Sequence, residues 1–138
     1  MTREEIMALD GRELDGEIAE QVFGYTGLTS GYGGPKTAVT LAPARALSPV
    51  PLFSKNSNDT SHMEKRIQAL EIDLLEDYYL LNLLELVYTE YPAGYWRDTS
   101  HYFTLECFAA IRFATPADCC RAALLALKEA MEEAGESK

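Results

Sequence analysis

Asp77-Tyr78-Tyr79-Leu80-Leu81-Asn82-Leu83-Leu84-Glu85-Leu86-Val87-Tyr88-Thr89-Glu90-Tyr91 is the stretch on which the fold turns. As a helix it would be apolar nearly all round, so it would need partners on more than one side. As a strand it is rich in Tyr and Leu and runs into Pro92-Ala93-Gly94, a turn signal. Periodicity alone does not choose between the two. The wider apolar run, Ile72 to Tyr88, carries Asp73, Glu76, Asp77, Asn82 and Glu85, and is not expected to span a membrane.

Downstream, Tyr102 to Ala114 reads as strand. Phe103, Leu105 and Cys107 alternate with Thr104 and Glu106, and Ile111 and Phe113 bracket Arg112. Thr115 is placed to cap a last helix, with Pro116 at its first position and Asp118 where an acid complements the helix dipole. Ala117 to Ala134 has strong helix propensity and stops before Gly135. Upstream, the polar cluster Asn56 to Ser61 is suited to cap a helix on which Met63, Ile67, Leu70 and Leu74 share a face. Thr2 and Glu5 form a capping-box pattern. Ile6, Leu9, Leu14, Ile18, Val22 and Phe23 then predict a helix from about Arg3 to Phe23, ending at Gly24, with Gly11-Arg12 as a potential break.

Residues 24–52 are the irregular part, punctuated by Gly24, Gly27, Gly31, Gly33, Gly34, Pro35, Pro43, Pro49 and Pro51. Within them only Lys36 to Leu41 alternates weakly, as a short strand would. Such a loop inside a compact domain is a place to look for function, the alternative being a disordered insertion. The order helix, loop, helix, strands, helix predicts one α+β domain over 1–138, a small antiparallel sheet with helices packed on it.

Composition bounds the function. The chain has 138 residues, 47% hydrophobic and 25% charged, which suits one globular domain. Its 22 acidic and 12 basic residues give a formal charge of −10. Such a field repels nucleic-acid phosphates, so no direct nucleic-acid partner is expected. An acidic surface keeps a protein soluble, and it also docks on basic protein faces. Cys107, Cys119 and Cys120 are an odd set with an adjacent pair, which fits a reducing cytoplasm better than a disulfide framework. The start of the chain lacks the apolar core of a signal peptide.

No motif names a reaction. His62 and His101 are the two histidines and neither has a partner at ligand spacing, so no metal or cofactor is expected. Cys120 reads as a small buried hydrophobe. Cys119, nearer the helix start, would have a lowered pKa if exposed. Ser100 beside His101 makes a poor catalytic pair, and no Gly-x-Ser-x-Gly elbow exists. Gly31-Tyr32-Gly33-Gly34-Pro35-Lys36-Thr37 lacks the spacing of a phosphate-binding loop. The acids Glu71, Asp73, Glu76 and Asp77, and the group Glu129, Glu132 and Glu133, read as solvated helix faces. Tyr88, Tyr91, Tyr95, Trp96, Arg97 and Tyr102 are either interface hot-spot or base-stacking residues, or rings that cap the core.

Three segments carry a family resemblance. Met1 to Leu9, Gly11 to Asp15 and Ala19 to Tyr25 form the first. Pro51-Leu52-Phe53-Ser54 is the second, and Ala114-Thr115-Pro116-Ala117-Asp118-Cys119-Cys120-Arg121 through Leu127 is the third. In this order they resemble the phage ABA-sandwich-domain proteins. The likeness implies an α-β-α sandwich, favours strand for Asp77 to Tyr91, and leaves 26–46 and 56–61 unmatched. It supplies no catalytic residues. The setting it implies is a phage accessory protein in the host bacterial cytoplasm, not an enzyme, that binds a host defence protein or sequesters a nucleotide immune signal, as a single chain or a homo-oligomer. The expected contact residues are Tyr25, Phe53, Ser54, Tyr91, Tyr95, Trp96, Arg97 and Arg121. A small nucleotide-processing enzyme is the competing reading.

Overall fold

The computed structural model describes residues 1–30, 36–41, 46–90, 95–98, 109 and 111–136. In chain order the elements are α1 (Arg3–Ala8), α2 (Gly11–Gln21), β1 (Leu28–Thr29), β2 (Ala38–Leu41), β3 (Ala46–Pro49), α3 (Ser57–Ala69), α4 (Leu75–Val87), α5 (Tyr95–Asp98) and α6 (Pro116–Glu136). The α+β class holds, with strand inside the expected Lys36 to Leu41 and helix where the resemblance favoured strand.

The deciding stretch is helix, not strand: α4 runs through Val87. Both of its apolar faces have partners, which is why an all-round apolar helix is stable here. Leu75, Tyr79 and Leu83, four residues apart, enter the main core. Leu81 and Leu84 build a second, smaller core with Trp96. Asn82 is fully buried, and its amide donates to the Tyr78 carbonyl (2.8 Å) and to Glu129 Oε1 on α6 (2.9 Å). Of the expected strand at 102–114, residues 109 and 111–113 are helical, and most of the remainder lies outside the described residues.

The sheet comes from the Gly/Pro-rich segment. It is antiparallel in the order β1-β2-β3, with Val39 opposite both Leu28 and Ser48. β2 matches the weak alternation at Lys36 to Leu41. The flanking edge strands are short, and β3 ends in Pro49, which an edge strand tolerates. Val39 and Val50 join the main core.

The N-terminal helix is two helices. Asp10 accepts from the Glu13 N–H while Glu13 reaches back to the Asp10 N–H, so a second capping box restarts the chain. The box at Thr2 and Glu5 forms as the sequence predicts. So do the caps at Asn56 and at Thr115, where the Asp118 N–H donates to Thr115 Oγ1 (3.1 Å). The core is organised around α6. Cys120, Ala122, Ala123, Leu124, Leu125 and Ala126 are all buried, because α1, α2, α3 and α4 pack around it. Small Ala side chains let these helices approach closely.

A polar clamp ties α2 to the chain around the sheet. Asp15, with no exposed surface, takes Arg12 Nη1 at 2.7 Å and the Ser54 N–H at 2.7 Å. Arg12 also donates to the carbonyls of Thr37 and Val50, and Ser54 Oγ donates to the Gly11 carbonyl (2.8 Å). Next to it, Lys36 pairs with Glu17 (2.7 Å) and Glu20 (2.5 Å), which raise its pKa above the ordinary lysine value. Gly16 makes this approach feasible. A Cβ there would lie 2.7 Å from Lys36 Cβ and 2.9 Å from the Lys36 carbonyl oxygen. Overpacking of that kind costs about 1–3 kcal/mol, while removing a helix glycine returns about 1 kcal/mol. Gly16→Ala is therefore expected to lose about 0–2 kcal/mol net in a urea titration. A stabilised variant would show that the Lys36 backbone gives way freely.

Candidate functional site: an acidic furrow along α3

One flank of α3 is buried through Thr60, Met63 and Ile67. The neighbouring flank carries Ser57, Ser61, Glu64 and Gln68, spaced i, i+4, i+7 and i+11, and lines a row of concavities. The first, about 200 Å³, lies at the α3 N-terminus between Ser57, Ser61, Glu64, Arg112 and Cys119. The second, about 260 Å³, shares Glu64 and Ile111 with it and adds Ile67, Gln68, Glu76, Tyr79 and Leu80. The third, about 310 Å³, shares Ile67, Gln68 and Glu76 with the second and adds Glu71, Asp73, Leu74 and Asp77. The fourth, about 950 Å³, meets the third at Ile72 and opens over Ile6, Leu70, Leu127 and Met131. The first three follow α3 from its N-terminus to the turn after it as one furrow; the fourth lies beyond that turn and, among the described residues, holds none of α3.

Its middle is acidic. Glu64, Glu71, Asp73, Glu76 and Asp77 line the second and third concavities, and among the described residues no Lys, Arg or His does. Among the described residues none of these five carboxylates is ion-paired. Elsewhere several acids have cations: Asp15 has Arg12, Glu17 and Glu20 have Lys36, Asp118 has Arg121, and Glu132 has Lys128. Among the described residues Glu4, Glu5, Asp10, Glu13 and Asp59 are not ion-paired either, but they do not gather around one concavity as the furrow acids do.

Two non-glycine residues in the left-handed region make the α3–α4 turn: Glu71 at φ 53° and Leu74 at φ 64°. Leu74 stands at the α4 N-cap, makes no side-chain cap, and is 41% exposed. Such a conformation costs of order 1–3 kcal/mol and clusters at functional sites. Leu74→Gly is expected to raise stability by about 1 kcal/mol in thermal or urea unfolding, since glycine carries no penalty there. An unchanged or lowered midpoint would mean that the Leu74 side chain contributes packing that outweighs the strain.

The chemistry at the α3 end is positional. Tyr79 is 7% exposed, and its hydroxyl donates to Glu64 Oε2 at 2.7 Å, fixing the carboxylate at the furrow wall. Burial, with the Cys119 and Glu64 charges behind it, pushes the Tyr79 pKa up, so the phenol stays protonated and keeps donating. Cys119 does not behave as an exposed helix-start thiol would. It is buried, and that burial pushes its pKa up to about 11, despite its hydrogen bond with Tyr79. Cys120 moves up for the same reason. Neither supplies a thiolate near neutral pH. In a native thiol titration at pH 8, at most one of the three cysteines is expected to react quickly, and all three in denaturant. Rapid native labelling of Cys119 or Cys120 would contradict this burial.

The residues singled out from the sequence fall in three places. Phe53 is buried and stacks on Phe23 (centroids 5.1 Å apart), which also touches the Tyr25 ring (5.7 Å). Ser54 and Arg121 both secure the α1–α2 break, Ser54 at the Gly11 carbonyl and Arg121 Nη2 at the Leu9 carbonyl (3.1 Å). Tyr95 meets Trp96 edge-on at 5.0 Å, in the second core with Tyr88. None of these lines the furrow. Tyr91 lies outside the described residues, as does the Arg97 side chain. Four of the five furrow acids, Glu71, Asp73, Glu76 and Asp77, read from the sequence as a solvated face, and Glu64 was not singled out. A sharper signal was available: residues 67–96 hold six acids and no Lys, Arg or His.

Among the described residues, no group of three or more His, Cys, Asp or Glu is placed to hold a metal, and no helix is long and apolar enough to cross a membrane. No protein-family model, curated protein or solved structure matches this chain. The likeness to phage ABA-sandwich proteins therefore stands on its quoted residues alone.

Proposed function

We propose that this chain is a non-enzymatic binding protein that docks its acidic furrow on a basic surface of another protein. The observation that carries the reading is the run of five carboxylates, none ion-paired among the described residues, around two adjoining concavities that also hold Ile67, Leu74 and Leu80. Complementary charge steers such an encounter and fixes its register, while the apolar side chains among the acids add affinity. A nucleotide ligand has less support. It would need an arginine beside an aromatic ring, and among the described residues none of the four concavities combines the two. The family resemblance, rather than the geometry, supplies the partner's setting: a bacterial host protein, with a defence factor masked by the interaction as the expected case.

The test is cross-linking of the immobilised chain to proteins retained from a bacterial host extract. The expected result is a partner released by raised salt, with its cross-links on residues 57–77. A partner cross-linked mainly to the Phe23–Tyr25 side, or to Tyr95–Trp96, would overturn the reading.

A further inference from the structure

We infer that the furrow receives one amphipathic helix of the partner, apolar along the face it lays down and basic along the edge beside the α3–α4 turn; the inference rests on the protein-docking reading above.

The argument begins with length and walls. α3 has 13 residues, so the furrow beside it runs roughly 20 Å at 1.5 Å per residue, which about four turns of helix would fill. Helices and the α3–α4 turn form its walls. Among the described residues none of β1, β2 or β3 lines any of the four concavities, so a partner strand finds no sheet edge to extend there. That leaves the helix-in-groove mode, which reads anchors at i, i+3, i+4 and i+7.

Charge then selects the helix. In the middle of the furrow the free carboxylates alternate with Ile67, Leu74 and Leu80. A lysine or arginine matches that mixture, laying its aliphatic stem on the apolar wall and its cation against the acids. The 260 Å³ concavity is smaller than the roughly 300–1,000 Å³ typical of small-molecule sites, and suits a single side chain. Toward the fourth concavity the balance changes. There Arg3 and Lys128 offset Glu4, Glu20 and Glu132, and the surface is mainly apolar. Met1 and Met131, both exposed, border it with flexible side chains that adapt to varied apolar anchors. The complementary helix is therefore apolar at that end and basic over the α3–α4 turn. A second copy of this chain fits poorly, since it brings the same −10 charge and the same acidic furrow.

Fluorescence anisotropy with three labelled helical peptides of about four turns tests this. One carries an apolar face with lysines and arginines on one edge. The second has those basic residues replaced by glutamine, and the third has the apolar face replaced by serine. The first is expected to bind at least about 10-fold more tightly than either of the others, and to weaken as salt rises. Equal binding of the first two overturns the basic requirement, and equal binding of the first and third overturns the apolar one. No binding of the first peptide at about 1 mM overturns the inference, as does a cross-linked partner segment that is a strand or loop. Cross-links to residues 57–77 in that last case would still uphold the docking reading, so the two failures are distinguishable.

Discussion

Asp15→Ala is expected to lower the unfolding free energy by about 3–5 kcal/mol, a large share of the about 5–15 kcal/mol of an ordinary domain. Asp15 is wholly buried and answers two groups at once: the Arg12 guanidinium and the Ser54 N–H, both at 2.7 Å. Its removal strands a partly buried cation and a buried backbone donor. The effect reaches further than α2, because Arg12 also holds the Thr37 and Val50 carbonyls, which lie together where β2 begins and β3 ends. Replacing both partners, as Arg12→Met with Asp15→Leu, is expected to cost less than Asp15→Ala, since no uncompensated charge is then buried. Urea titrations of the three proteins provide the comparison. A loss under about 1 kcal/mol for Asp15→Ala would show that the clamp does not hold α2 to the sheet.

The second large effect concerns binding. Glu71→Lys combined with Glu76→Lys is expected to weaken the captured partner by at least about 100-fold, or about 2.7 kcal/mol. Both carboxylates are exposed and neither is ion-paired among the described residues, so the fold has little to lose. Glu76 lies in the first turn of α4, where an acid favours the helix by about 0.3–1 kcal/mol. A stability loss larger than that would show a structural role, and the binding result would then have to come from Glu71→Lys alone. The wild-type complex should weaken with salt, whereas residual binding by the variant should not.

How much of this was legible depends on the range of the interaction. The caps at Thr2, Asn56 and Thr115 involve neighbours three residues apart, and the sequence carries them whole. The Asp10–Glu13 box is equally local, although the periodicity of Ile6 through Phe23 masked it. α4 was ambiguous because a helix buried on two faces and a buried strand present the same unbroken apolar run. Only the separate cores around Leu83 and Trp96 resolve it. Of the sheet only the central strand was legible, in the alternation at Lys36 to Leu41; its edge strands are two and four residues long and sit among Gly and Pro. The site depended on tertiary structure altogether. Glu64, Glu71 and Glu76 look like any solvated acids until the surface between α3 and α4 proves concave.

The central claim is that the α3 furrow is the docking surface. Hydrogen exchange of the chain, free and with its cross-linked partner, tests it most directly. The account predicts that partner-dependent slowing centres on residues 61–77 and extends to the fourth concavity at 1–6 and 127–132. Slowing confined to 23–28 or 95–98, with the furrow unchanged, would contradict it.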